Sequence, residues 1–142
     1  MERKTWLSHL ATANSEQLAQ LFDHGLRADQ YRTLREPEVG TVMARARMGG
    51  TGDSFNCGEI TVTRCSVELN GVHGHGYVQG RNKQQALTTA LLDAMLQTDQ
   101  HEQLIKQVIE PIAAARAARL DEINSKSEAT RVDFFTRVRG ED

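Results

Sequence analysis

The chain has 142 residues, of which 39% are hydrophobic, and its formal net charge at pH 7 is -2. This length predicts a single domain spanning residues 1–142 with one hydrophobic core, and the near-neutral charge excludes a general positive field that would collect nucleic acid or anionic lipid. No stretch approaches the roughly 18 apolar residues of a membrane span. The first residues lack the apolar segment of a secretory signal, so we expect a cytoplasmic protein.

Residues 1–30 are predicted to form a helical hairpin. Two runs of apolar side chains recur at helical spacing on either side of Asn14 and Ser15, and either residue is a good N-cap for the second helix. Gly25 is a residue type that commonly follows the end of a helix. The two runs consist of Trp6, Leu7, Leu10 and Ala11, and of Leu18, Leu21 and Phe22.

Residues 31–81 are predicted to form an antiparallel sheet of three to four strands, because the helical period gives way to alternation. Segment 39–48 would place Val42 towards the core and Arg45 and Arg47 on the opposite face. The glycine-rich stretch 49–59 is expected to be a loop that leads into the next strand. A shift of the apolar positions within 59–69 indicates a β-bulge near Arg64.

The pair Asn70-Gly71 lies between two alternating runs, which is a strong signal for a tight β-hairpin. In the strand that follows, 72–81, Gly74 and Gly76 share one face, so a helix could approach that face closely. The other face of this strand carries His73, His75, Tyr77 and Gln79.

Residues 82–142 are predicted to form helices that pack on the sheet. Asn82 and Gln85 have the spacing of a helix N-cap and its partner, and an apolar stripe follows, with Asp93 inside it as either a paired or an inward-facing carboxylate. From about residue 100 a second helical run contains Pro111, which forces a kink or a restart. Together the three parts give an α+β fold.

Several residues are candidates for chemistry. The glycines of 49–59 could offer backbone N–H groups to a phosphate, but the stretch lacks the GK[ST] ending of a P-loop and leads into a strand, so a shaped turn is the competing interpretation. Strand arginines could hold a phosphate or carboxylate bidentately, or they could pair with glutamates across strands. These arginines are Arg45, Arg47, Arg64 and Arg81.

His73 and His75 have a spacing found among metal ligands, with Cys57, Cys65 or Glu59 as a third ligand. Two imidazoles alone do not make a site, so a polar strand face is the alternative. No CxxC pair is present, and both cysteines are expected to be reduced thiols.

Four segments resemble the PhnG family, whose members are subunits of the bacterial carbon–phosphorus lyase machinery. They read EPEVG at 36–40, FNCGEITVTRC at 55–65, GHGYVQGR at 74–81 and LDA at 92–94, and the similarity covers about residues 35–96 strongly.

The resemblance implies an accessory subunit in phosphonate catabolism, assembled with PhnI-, PhnH- and PhnJ-type subunits in two copies of each and aided by a PhnL-type protein. The assembly would exchange the adenine of ATP for methylphosphonate, giving ribose 1-methylphosphonate 5-triphosphate. No catalytic residue, metal or cofactor is implied for this chain itself. The PhnJ-type partner would carry an iron–sulfur cluster and use S-adenosylmethionine.

Within such an assembly, the candidates for a face near the substrate channel are Arg45, Arg64, His75 and Arg81. The candidates for a partner interface are Tyr77, Phe134 and Phe135, because a Phe-Phe pair in a polar tail would be unusual on a free monomer. Two alternatives remain open, namely a stand-alone nucleotide- or phosphonate-binding module and a small metal-dependent enzyme.

Overall fold

A computed structural model describes the backbone of residues 1–47 and 54–127 and the side chains of residues 1–43 and 58–123. The elements in chain order are helices α1 (Arg3–Ala11) and α2 (Ser15–Leu21), a 3-10 turn (Ala28–Gln30), strands β1 (Arg32–Arg47), β2 (Ser54–Leu69) and β3 (Val72–Gln79), helices α3 (Lys83–Leu96) and α4 (His101–Leu104), a π-helical segment (Ile105–Ile109) and helix α5 (Glu110–Ser127). The α+β prediction is confirmed. None of the described helices is both long and apolar enough to cross a membrane.

The sheet is antiparallel, with strand order β1-β2-β3 among the described residues. Asn70 and Gly71 form the predicted hairpin turn, with φ angles of 52° and 81°. These positive values are typical of a type I′ turn, whose twist matches that of the flanking strands. β3 pairs only with residues 62–69 of β2, so β1 and β2 continue beyond it as a two-stranded ribbon, residues 40–47 and 54–61.

The strands differ from the prediction in two places. β2 already begins at Ser54, so half of the expected loop is strand, and its irregularity at Gly58 is an extra residue in β2 opposite the Ala44 to Arg45 step. The bulge expected near Arg64 is not in β2, because Arg64 pairs in register with Tyr77. The bulges lie in β1, at the steps from Thr33 to Arg35 and from Arg35 to Glu38.

Thr63 explains why β2 seemed to contain a bulge. This polar residue occupies a fully buried position in β2 where the alternating pattern calls for an apolar one. Its hydroxyl donates to the carbonyl oxygen of Gly80 at 2.7 Å and accepts from the backbone N–H of Asn82 at 3.1 Å. These bonds satisfy the buried hydroxyl and fix the connection from β3 to α3.

Helix α3 lies directly against the glycine face of β3, as predicted. A Cβ atom on Gly74 would collide with the carbonyl oxygen of Ala90, and one on Gly76 would collide with that of Ala86. Asn82 caps the helix, since its side chain accepts from the backbone N–H of Gln85 at 3.0 Å. The sheet side of α3 packs in a cluster with Cys65, Val67, Val78, Ala86, Ala90 and Leu91.

The opposite side of α3 packs against the remaining helices. Asn14 caps α2 by accepting from the backbone N–H groups of Glu16 and Gln17. The helix expected to kink at Pro111 contains the π-helical segment just before it, which accommodates the missing N–H of proline. This second core cluster comprises Trp6, Leu10, Leu18, Phe22, Leu92, Leu96, Leu104, Ile105, Val108, Ile109 and Ile112.

Candidate functional site

The candidate site is the side of the sheet that faces away from α3, which we call the open sheet face. No described helix covers it, and its side chains are polar and mostly exposed. It carries Arg32, Arg35, Glu38, Arg64, Ser66, Glu68, His73, His75, Tyr77 and Gln79.

Ion pairs cross the open sheet face from β1 to β2. Glu38 accepts from Arg35 at 2.7 Å and from Arg64 at 3.3 Å, and Arg32 contacts Glu68 at 2.8 Å. The hydrogen bond from Arg35, followed by the charges of Arg35 and Arg64, lowers the pKa of Glu38. These pairs are exposed and screened by water, so they contribute little to stability. The competing interpretation of cross-strand pairing with glutamate therefore holds for Arg64.

The histidine of this face is also engaged. The Nδ1 atom of His75 lies 2.9 Å from the hydroxyl oxygen of Ser66 on β2, while His73 is exposed opposite Glu68. Tyr77 is 41% exposed beside Arg64, so it is accessible to a partner. The described residues bring together no group of three His, Cys, Asp or Glu side chains that could hold a metal ion.

Arg64 and Arg81 are both neighbours of Glu38. Arg81 follows β3 and lines a shallow depression with Pro37, Glu38, Val39 and Lys83. Because Glu38 also accepts from Arg64, the structure gathers several cations around a single carboxylate. This arrangement could bind an additional anion if Glu38 turned away or if the anion were multiply charged.

Arg45 lies apart from the other candidates. Its backbone pairs with Asn56 in the two-stranded ribbon, eight residues along β2 from Arg64. At about 3.3 Å per residue, that separation is roughly 26 Å. Arg45 therefore does not belong to the same small patch as Arg64, His75 and Arg81. Phe134 and Phe135 lie outside the described residues, as do the side chains of Arg45 and Cys57.

A buried carboxylate holds the sheet from the other side. Asp93 of α3 has no exposed surface and accepts four hydrogen bonds, from Arg3 Nε at 3.2 Å, Arg3 Nη2 at 2.8 Å, the indole N–H of Trp6 at 2.8 Å and the backbone N–H of His75 at 2.8 Å. The hydrogen bond to Asp93 raises the pKa of Arg3. One carboxylate thus joins α1, α3 and the strand that carries His75.

Sequence reasoning had singled out Asp93 without finding its partners. Arg3 and Trp6 lie about 90 positions earlier in the chain, and the N–H of His75 is a backbone group. The available signal was the i, i+3 spacing of Arg3 and Trp6, which puts two N–H donors on one face of α1. A charged residue within a buried helix face requires such donors.

Cys65 is buried under α3 and is not a reactive thiol. Burial, with a smaller contribution from the negative charge of Glu36, raises its pKa to about 11. The thiolate, which is the form that attacks an electrophile or binds a metal, is therefore scarce at neutral pH.

Comparison with known proteins agrees with the resemblance found in the sequence. The family model described as "Phosphonate metabolism protein PhnG" matches residues 1–140. A relative from Rhizobium meliloti (strain 1021), the alpha-D-ribose 1-methylphosphonate 5-triphosphate synthase subunit PhnG, is 39% identical over 142 residues, which cover 99% of this chain and 91% of the relative. The chain therefore belongs to the PhnG family of phosphonate metabolism proteins.

Proposed function

We propose that this chain is an accessory subunit of alpha-D-ribose 1-methylphosphonate 5-triphosphate synthase in phosphonate catabolism. The observation that carries the proposal is the 39% identity to a subunit of that synthase along nearly the whole length of both chains. The assembly transfers methylphosphonate to the ribose of ATP and releases adenine. This chain supports the transfer without supplying the reacting groups.

The chemistry of the described side chains supports a non-catalytic role. The Cys65 thiol is buried with a raised pKa, His75 is bonded to Ser66, and Asp93 is saturated by N–H donors. Each of these groups has a structural partner in the folded domain. The polar open sheet face remains available for contact with other subunits.

The partners in this proposal are PhnI-, PhnH- and PhnJ-type subunits, with two copies of each, and a PhnL-type protein acts with them. This chain binds no cofactor of its own. The assembly uses ATP, and the PhnJ-type subunit carries an iron–sulfur cluster and uses S-adenosylmethionine. We further propose that Arg64, Arg81 and His75 lie near the triphosphate of the substrate, while Tyr77 and the tail residues Phe134 and Phe135 contact a partner.

Reconstitution tests the proposal directly. The partner subunits are expressed with and without this chain, and adenine release from ATP in the presence of methylphosphonate is measured. We expect the release to fall strongly without this chain and to return when it is added back. Unchanged release without the chain would overturn the accessory role, and adenine release by the isolated chain would show that it is itself the catalyst.

A second candidate function is a stand-alone nucleotide- or phosphonate-binding module. The cations that surround Glu38 favour it, since Arg64 and Arg81 could receive a phosphate. Calorimetric titration of the isolated chain with ATP or methylphosphonate separates the two functions. We expect no saturable binding outside the assembly, and binding at micromolar concentrations would favour the second function.

The role of Arg64 is tested inside the reconstituted assembly. Arg64→Glu is compared with Lys106→Glu, which reverses an exposed charge away from the open sheet face. Slower adenine release with intact assembly in Arg64→Glu alone would support a contact with the substrate. Loss of assembly would assign Arg64 to an interface, and normal assembly with normal release would remove it from both.

A further inference from the structure

Strand β1 is an edge strand whose two halves are built differently. Residues 32–38 carry the features by which natural sheets discourage edge-to-edge pairing, namely charged side chains, Pro37 and two bulges. Residues 39–44 read VGTVMA and have no charge or proline. Their pairing with β2 is regular from Val39 opposite Thr63 to Ala44 opposite Gly58.

This second half of β1, residues 39–44, which we call the bare edge, is also accessible. Val39 is 37% exposed and Met43 is 49% exposed. The bare edge lies where the sheet narrows to the two-stranded ribbon, and its outer side faces no described strand. A regular, uncharged edge of this kind is a template for another strand.

The other outer edges of the sheet are better protected. On β3, the backbone N–H of His75 donates to Asp93, and the carbonyl oxygen of His73 accepts from the side chain of Gln97 at 2.8 Å. On the ribbon, the free part of β2 contains the irregularity at Gly58 and the charged Glu59. The bare edge is therefore the part of the described sheet that is best suited to growth.

The charge pattern around the bare edge indicates what pairs with it. The acidic residues Glu36 and Glu38 precede it, and the basic residues Arg45 and Arg47 follow it within the same strand. When two such strands run antiparallel and centred on residues 41 and 42, the acidic end of each lies beside the basic end of the other. A parallel arrangement would bring like charges together, which is unfavourable.

We propose that two copies of this chain associate through their bare edges, antiparallel and related by a two-fold axis, to form one continuous six-stranded sheet. The contact is the same surface on both copies, so it closes at two chains. The proposal does not depend on the role in the synthase.

Charge reversal provides the main test, read by sedimentation of the full-length chain over a range of concentrations. We expect the wild type to form a dimer. Two variants, Glu36→Lys with Glu38→Lys and Arg45→Glu with Arg47→Glu, should each dimerise on the order of tenfold or more weakly, because like charges now meet at both ends. An equimolar mixture of the two variants should recover a dimer with one chain of each.

The outcomes are distinct. A wild type that stays monomeric at all concentrations overturns the proposal, as do variants that dimerise normally and a mixture that fails to recover. Recovery in the mixture shows in the same experiment that both variants are folded. The synthase proposal is read by adenine release, so failure of one proposal is not failure of the other.

Cysteine cross-linking tests the geometry without changing any charge. In a Cys57→Ser background, Thr41→Cys places a thiol next to the expected two-fold axis, while Gln79→Cys places one on exposed β3 as the matched control. Mild oxidation should give a disulfide-linked dimer for Thr41→Cys and not for Gln79→Cys. Absence of that dimer, or cross-linking of Thr41→Cys to a different subunit in the assembled complex, overturns self-pairing.

Discussion

Replacing the buried carboxylate of Asp93 by an amide should remove a large part of the stability of this domain. Asp93→Asn keeps the shape of the side chain, but it puts an NH2 group where two of the four hydrogen bonds are now accepted. In either orientation of the amide, one donation from Arg3 and one from a buried N–H group, that of Trp6 or His75, lose their acceptor.

The magnitude follows from these losses. A buried donor without an acceptor costs about 1–3 kcal/mol, and a hydrogen bond to a charged group contributes about 1.5–3 kcal/mol. The Arg3 side chain is 41% exposed, so water can replace part of its pairing and the lower values apply to it. We expect Asp93→Asn to lower the free energy of unfolding by about 3 kcal/mol, a large fraction of the roughly 5–15 kcal/mol typical of a domain.

Urea unfolding is the assay, followed by fluorescence of the chain's one tryptophan, Trp6, and in parallel by far-UV circular dichroism. With an unfolding slope of about 2 kcal/mol per molar urea, the midpoint should fall by roughly 1.5 M. Asp99→Asn makes the same chemical change at an exposed position and should stay within about 0.5 kcal/mol of wild type. If Asp93→Asn is no less stable than Asp99→Asn, the network does not hold the domain together.

Three further changes test other parts of the structure. Gly76→Ala should destabilise the domain by about 3 kcal/mol or more in urea unfolding because its Cβ meets the backbone of α3, whereas Gly40→Ala, where the Cβ enters open space, should stay within about 0.5 kcal/mol; equal effects would contradict the close helix contact. His9→Gln should flatten the loss of stability on acidification, measured as urea midpoints at several pH values. Burial, followed by the charge of Arg116, lowers the pKa of His9 from its ordinary 6.5, so the stability gained from keeping it neutral is full above pH 6.5 and is lost as the pH falls towards the folded pKa; an unchanged pH profile in the variant would exclude His9 as the cause. Cys65 should resist alkylation by iodoacetamide in the native protein at pH 8 and react after unfolding, because it is buried with a pKa of about 11; rapid native labelling at this position, read by mass spectrometry, would show that α3 does not stay on the sheet.

Local signals in the sequence predicted much of the fold. The turn at Asn70-Gly71, the cap at Asn82 and the glycine face of β3 each depend on residues that are neighbours in the chain, and each was found as expected. The π-helical segment next to Pro111 likewise follows from a proline that lacks an N–H.

Features that depend on distant partners were not predictable. The position of the β1 bulges is set by pairing with β2, and the buried Thr63 imitates a shift of period because its hydroxyl is satisfied by Gly80 and Asn82. The separation of Arg45 from Arg64 follows from the length of the ribbon, which the glycine-rich composition of 49–59 concealed. A single sequence gives no measure of such long-range register.

The contact between β3 and α3 has a consequence for how this domain tolerates mutation. Two positions without side chains, Gly74 and Gly76, set the spacing, height and rotation of the central helix, and so they determine where Asp93 meets the backbone of His75. Scales that rank substitutions by loss of volume would treat these positions as inert. Here the smallest residues are among the least replaceable, and natural variation should concentrate on the large, exposed side chains instead.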